Sequence, residues 1–291
     1  MIDTKLITFI TVAKTKNLTR AAELLNLTQP AVSQHIKALE EYYEVKLLLK
    51  QPKQMALTEE GEILYKRAIE LNRISKKLKN ELGNKSKISK RYDVGATLTI
   101  GGYVLPELIG RYREIHENRE IILYVENTEK IMKKLFDGDI CLGVVEGPFD
   151  KTKVKYRKMR NDELVLAVSE KHPFASRDAV SIEEVLESNL ILREEGSGTR
   201  KVFENKLGEE GYALDKIYME IGDITAVISL VESNLGCTVI SKEALGSSLL
   251  SKKIKVVPIE GFKIMREFNF VYLDESCEAF VDDFCEFCME E

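Results

Sequence analysis

The sequence predicts an α/β body preceded by a small, mainly helical unit and a long helix. Three observations carry this reading. The chain has 291 residues, more than a single domain of roughly 100–200 residues accounts for. Its charge is divided: residues 1–90 hold 17 Lys/Arg against 10 Asp/Glu, a surplus of +7, while the remainder holds 26 against 38, a deficit of 12. Near Tyr92 the apolar pattern changes from helical periodicity to short apolar runs alternating with helical stretches.

Composition removes several classes of function. Apolar residues make up 44% and charged residues 31%, enough to build cores beneath a solvated surface. No run approaches the ~20 apolar residues of a membrane span, and the N-terminus lacks a basic-then-apolar leader. The chain is therefore expected in the cytoplasm, with no membrane partner. Five cysteines, an odd number, do not form a secreted disulfide framework. Cys141 and Cys237 lie in apolar runs and are expected in the core. Cys285-x-x-Cys288 lacks a second Cys/His pair, which favours a structural role over metal binding or redox sensing. The three histidines, His35, His116 and His172, compose no Ser-His-Asp or metal-spaced set. His116 and His172 are expected at the surface near turns. Neither an enzyme nor a cofactor is expected.

The first element follows from Leu6, Ile7, Phe9, Ile10 and Val12 at helical spacing. Asn17 or Thr19 can cap a short second helix through Leu25, whose alanines Ala21 and Ala22 allow close approach of a neighbour. Asn26-Leu27 makes a turn. Thr28 then caps a third helix, with Pro30 in the first turn, where its missing N–H costs nothing. Val32, Ile36 and Leu39 form its buried stripe, leaving Gln29, Ser33, Gln34 and Lys37 on other faces. His35 is expected to face solvent, with a phosphate contact as the alternative. Two short helices joined by a tight turn, the second opening on polar side chains in a basic segment, form a helix-turn-helix with duplex DNA as its partner. A generic helical hairpin would need neither the polar cluster nor the basic balance.

Leu47–Leu49, a Pro-containing turn over 50–54 and Met55–Leu57 predict a small β-hairpin wing. Thr58 caps the next helix, whose Glu59, Glu60 and Glu62 suit its positive end. Leu64, Leu71 and Leu78 recur every seven residues, with Ala68, Ile74 and Leu82 alongside, which predicts pairing with a second copy. The alternative is docking onto the rest of the chain. Residues 83–90 are polar and basic and are expected to form a linker.

In the body, strands are predicted at 92–96, 121–125, 140–145, 164–168, 190–192, 217–221, 237–240, 254–257 and 268–273. Helices are predicted at 100–116, 129–136, 198–208 and 225–234. The alternation implies largely parallel sheets, and about 200 residues suits two lobes.

The run "NLTRAAELLNLTQPAVSQHIKALEEYYEVKLL", the wing ending in "LTEEG" and the α/β body resemble the LysR-type transcriptional regulators over essentially the whole chain. Three positions depart from the family pattern: Glu44 stands for its usual Gly, Leu48 for Phe and Lys50 for Arg. Glu44 is expected to carry local strain at a left-handed helix end. The resemblance implies a winged helix-turn-helix domain at 1–58 and a dimerisation helix and hinge at 59–90. It further implies a two-lobed, periplasmic-binding-protein-like effector domain at 91–291, with lobe I at 91–160 and 267–291 and lobe II at 161–266. Crossover strands are expected near 155–160 and 261–268. The family commonly forms tetramers, and RNA polymerase is a further expected partner.

In that frame, Thr28 and Pro30 shape the recognition helix, Gln29 pairs with adenine edges, and Ser33 and Gln34 reach base edges or phosphates. Arg20, Lys37, Lys50 and Lys53 are expected on phosphates. Four junctions carry small hydroxyl residues: Thr97-Leu98-Thr99, Asn127-Thr128, Ser197-Gly198-Thr199-Arg200 and Asp223-Ile224-Thr225. Helix starts of this kind suit an anion, and ordinary capping by Ser and Thr is the plainer alternative. "REEGSGTR" adds Arg193, Arg200 and close backbone approach at Gly196 and Gly198. With "GATLTIGGYVLPELIGRY", "ENTEKI" and "GVVEGP", which contains Glu146, it resembles the LysR branch that governs sulfur assimilation and carbon fixation, implying a small anionic effector. The competing reading is a small-molecule binding protein with a helical appendage that binds no DNA. The seven-residue stripe and the basic N-terminus oppose it.

Overall fold

A computed structural model describes residues 2–50, 55–85, 90–273 and 277–290. The chain divides into two units, Met1–Lys87 and Ile88–Glu291.

The first unit contains α1 (Thr4–Thr15), α2 (Leu18–Leu25), α3 (Gln29–Tyr43), the hairpin β1 (Leu48–Lys50) and β2 (Met55–Leu57), and α4 (Glu59–Lys85). Asn17 caps α2 by accepting from Arg20 N at 3.0 Å, and Thr28 caps α3 by accepting from Ala31 N at 3.3 Å. Val32, Ile36 and Leu39 are buried with Phe9, Val12, Ala21 and Leu47. The wing pairs antiparallel with Leu48 opposite Leu57. Thr58 ties it to α4, accepting from Gly61 N at 2.9 Å and donating to Lys46 O at 2.6 Å.

The apolar stripe of α4 divides in use. Ala68 is buried in the core of this unit and Leu64 is half-buried there, whereas Leu71, Ile74, Leu78 and Leu82 are exposed. The helix also outlasts its apolar pattern. Residues 83–85, expected in the linker, are helical, and Lys90 opens the next strand; 86–89 lie outside the described residues.

The second unit runs β3 (Lys90–Thr97), α5 (Leu98–Tyr103), α6 (Leu105–Ile115), β4 (Arg119–Glu126), α7 (Thr128–Phe136), β5 (Leu142–Val145) and β6 (Lys155–Ser169). It continues with α8 (Ile182–Glu187), β7 (Ile191–Arg193), α9 (Gly198–Glu209), β8 (Met219–Ile221), α10 (Ile224–Glu232), β9 (Thr238–Ser241), α11 (Gly246–Leu250), β10 (Ile254–Val257), β11 (Ile264–Tyr272) and α12 (Glu278–Glu290). The expected helix over 100–116 is two helices. Val104, distorted to φ −118°, separates them, and Pro106 falls in the first turn of the second piece, because a proline inside one continuous helix would lose a hydrogen bond and clash with the preceding turn.

The expectation of largely parallel sheets is corrected. β3 pairs parallel with β4 and β5, but β6 pairs antiparallel with β9, β10 and β11, and β11 antiparallel with β5. A strand that returns between lobes must run against its partner, so the crossovers impose this. β6 is far longer than its apolar segment: its first part pairs with β11, and its last residues pair with β9 and β10. Alternation sorts the side chains. On β11, Phe268, Phe270 and Tyr272 enter the core under α6 and α12, Val271 faces α7, and Ile264 belongs to the other lobe with Leu164, Phe203 and Val239. Cys285 and Cys288 pack in the first of these cores, and burial pushes both thiols up to about 12.

Glu44 ends α3 at φ 56°, where an L side chain costs about 1–2 kcal/mol. Glu44→Gly is expected to stabilise the first unit by about 1 kcal/mol, read as a higher denaturant midpoint with an unchanged slope.

Candidate DNA interface and ligand site

At the start of α3, Thr28, Gln29 and Pro30 are exposed, while Val32 behind them is buried. Gln29 Nε2 donates to Ser33 Oγ at 2.9 Å across one helical turn, so the two side chains form one polar face. Gln34 and Lys37 are exposed, and Lys37 pairs loosely with Glu41 at 3.6 Å. Arg20 is exposed on the preceding helix. The backbone of Lys50 ends β1, its side chain lies outside the description, and Lys53 lies outside the described residues. His35 departs from its expected solvent-facing position. It is half-buried, with Nδ1 2.9 Å from the hydroxyl of buried Thr8, and so joins α3 to α1. His116 and His172 are also half-buried: His116 lies 3.5 Å from Asp283, and His172 accepts from Phe174 N.

The second polar group lies where the two lobes meet. Arg266 on β11 stands directly opposite Asp162 on β6 in the strand register, and their side chains are 2% and 1% exposed. Its Nε donates to Asp162 at 2.6 Å, Nη1 to Thr199 at 2.9 Å and Nη2 to Thr99 at 3.5 Å. One guanidinium thus links the starts of α5 and α9, which belong to opposite lobes. Ser241 donates to the second oxygen of Asp162 at 2.8 Å, and Glu146 lies 4.0 Å from Arg266.

The lobes also touch through glycine. A Cβ on Gly147 would stand 2.6 Å from Gly198 Cα and 2.7 Å from Thr128 Oγ1, distances that only bare backbone tolerates. Beside this contact Asn127 donates to Glu194 at 3.3 Å. Ser197 is buried and makes no side-chain cap bond to α9.

The sequence-expected ligand residues separate accordingly. Thr99, Thr128, Glu146, Ser197, Gly198 and Thr199 are buried around the junction, Thr97 donates to Val144 O, and Leu98 is half-buried beside it. Arg200 is not free for an anion: it pairs with Glu204 and Glu220, each at 2.7 Å. Arg193 is likewise paired, with Glu194 at 2.9 Å. Thr225 is exposed and its hydroxyl donates to Asp223, the cap of α10. The cause is common to all three. Each has an acidic neighbour close enough to satisfy it first.

Arg266 and Asp162 were not anticipated. The usable signal was parity, since Arg266 shares the inward register of Ile264, Phe268 and Phe270, and Asp162 that of Leu164, Leu166 and Val168.

Known proteins match this arrangement. Residues 4–62 match the family described as bacterial regulatory helix-turn-helix protein, lysR family, and residues 85–291 match the LysR substrate binding domain. The chain belongs to the LysR family of transcriptional regulators. It is 30% identical to the HTH-type transcriptional regulator CysL of Bacillus subtilis, over 91% of this chain and 89% of that one. It is 31% identical to the RuBisCO operon transcriptional regulator of Allochromatium vinosum, over 91% and 87%. Full-length BenM has the same fold at TM-score 0.61 and 21% identity, covering 100% of this chain and 96% of that one. The CcmR regulatory domain of Synechocystis in complex with 2-PG gives 0.63 at 23% identity, covering 69% and 96%. Membership of this family places the chain among DNA-binding regulators rather than binding proteins with an incidental helical appendage. No described helix is long and apolar enough to cross a membrane.

Within this LysR body, Glu146 is the strained charge. Burial pushes its pKa up, and Arg266, Thr99 and Arg193 offset that only in part. A carboxyl raised on folding binds its proton first in the native state, so its burden on stability is absent at low pH. The burden grows as pH rises from the ordinary glutamate value near 4.5 through the folded value. Glu146→Gln is therefore expected to stabilise the protein at neutral pH, with the gain fading toward pH 4.5. Urea unfolding of both proteins in pH steps measures it, and a gain that grew on acidification would contradict the assignment.

Proposed function

We propose that this LysR regulator is a cytoplasmic protein that reads duplex promoter DNA with the start of α3. Its control signal is a small metabolite with an anionic group, held between the lobes. The observation that carries the first half is the exposed Gln29–Ser33 face backed by the buried Val32–Ile36–Leu39 stripe. In a major groove, Gln29, Ser33 and Gln34 meet base edges, and Arg20, Lys37, Lys50 and Lys53 meet phosphates and set register.

The second half rests on the buried group around Arg266. A ligand that prefers one lobe spacing shifts the population toward it. The chain divides for this purpose into 1–58 for DNA, 59–90 for pairing and 91–291 for ligand, with lobe I at 91–160 and 267–291 and lobe II at 161–266. The exposed Leu71, Ile74, Leu78 and Leu82 of α4 supply the surface for a second copy, and paired dimers supply the tetramer. RNA polymerase is the expected downstream partner. The identity shared with CysL and with a RuBisCO operon regulator supports a regulon in sulfur or central carbon metabolism. No enzymatic activity and no cofactor belong to this reading.

Base reading and phosphate contact separate experimentally. Gln29→Ala should lose about 1–3 kcal/mol of discrimination between the upstream site and scrambled DNA, whereas Arg20→Ala should weaken both alike and lower the salt slope by about one. Fluorescence anisotropy at several salt concentrations distinguishes them. Leu71→Glu/Leu78→Glu should shift the protein toward monomer in sedimentation velocity while the helix-turn-helix remains folded by circular dichroism.

A further inference from the structure

The group at the lobe junction is short of hydrogen-bond donors. Asp162 holds Nε of Arg266 at 2.6 Å, and Glu146 stands 4.0 Å from Nη1, so two buried carboxylates share one guanidinium. Arg193, which also acts on Glu146, is already held by Glu194. The Glu146 side chain is 3% exposed, and its Oε2 has no hydrogen-bond partner. Thr128 Oγ1, against Gly147 and Gly198, is also buried without one. A buried acceptor left unpaired costs about 1–3 kcal/mol, and more when charged. An anion without a donor would add repulsion in a dry site instead of relief. A hydroxyl such as Thr128 donates or accepts and so does not discriminate. A carboxylate only accepts.

Resting on the ligand reading above, we propose that Glu146 selects among small anions, admitting those with an O–H or N–H donor beside the charged centre and refusing those without one. The start of α9, with Ser197 uncommitted and Thr199 held by Arg266, meets the anionic end, and Glu146 meets the donor. An acidic oxyanion supplies that donor as its own proton, and an amino acid supplies it as ammonium. The chemistry common to both is an anionic group with a donor beside it, whatever the net charge.

Hydrogen phosphate and sulfate form the decisive pair. They share shape and, at pH 8, nearly the same charge, and they differ by one O–H. Glycine against acetate is the ammonium arm. Full-length protein is titrated with each probe by calorimetry and thermal shift. In at least one arm the donor-bearing member should bind roughly a hundredfold tighter than its partner, the scale on which a site built for a donor rejects an analogue lacking it. Glu146→Gln, whose amide donates, should admit the refused member and bring that pair to within about tenfold. The arm that shows selectivity identifies the source of the donor. Equal binding within both pairs by the wild type, unchanged selectivity in Glu146→Gln, or no binding of either hydrogen phosphate or glycine overturns the proposal. Thr199→Val separates it from the reading beneath it. Binding that survives Thr199→Val unchanged removes the interlobe site and this inference with it. Binding lost in Thr199→Val, with selectivity untouched in Glu146→Gln, removes only the role of Glu146.

Discussion

The cross-strand pair of Arg266 and Asp162 is the constraint around which the effector body is arranged. β6 and β11 each pass from one lobe to the other, and this pair sits at the level where they do so: Ile264 belongs to one core and Phe268 to the next, with Arg266 between them. A charge at that level cannot be left alone. Removing one partner of a buried ion pair costs about 3–5 kcal/mol because the other remains desolvated. Every hydrogen bond that satisfies the guanidinium reaches a different element, through Thr99, Thr199 and Asp162. Satisfying one side chain therefore sets the relative position of two helix starts.

The two polar helix starts of this protein obey the same local chemistry and serve opposite ends. At α3, Thr28 caps the helix and the stripe of Val32, Ile36 and Leu39 anchors it, so the remaining polar atoms stay in solvent. At α9, Ser197 and Thr199 are as small and as polar, yet both are buried, because Gly147 and Gly198 bring the opposite lobe onto them. Sequence composition describes both in nearly the same terms. Burial, a property of the tertiary contact, separates the open polar helix start of α3 from the enclosed one of α9.

This explains what was legible in the sequence. The helix-turn-helix was readable because its signals are local: Asn17 and Thr28 cap within three residues, and the buried stripe repeats every turn. The strands at 92–96 and 254–257 were readable because they are apolar over most of their length. The first half of β6 has no apolar pattern to read, since Lys155, Arg157 and Lys158 belong to a crossover strand whose side chains are largely solvated, and only the family resemblance placed a strand near 155–160. For Arg200, the pairing with Glu204 one helical turn on was within reach of the sequence, whereas Glu220 is brought to it only by the fold. His35 misled, since Thr8 is 27 positions away.

The contact between Gly147 and Gly198 has a final consequence. Side chains usually cushion an interface, so that two bodies settle over a range of separations. Here main chain meets main chain, with the Thr128 side chain wedged against both glycines. The junction has a hard stop. It fixes how closely the two lobes approach at this point. A single added carbon at either glycine would act as a spacer and hold the lobes apart.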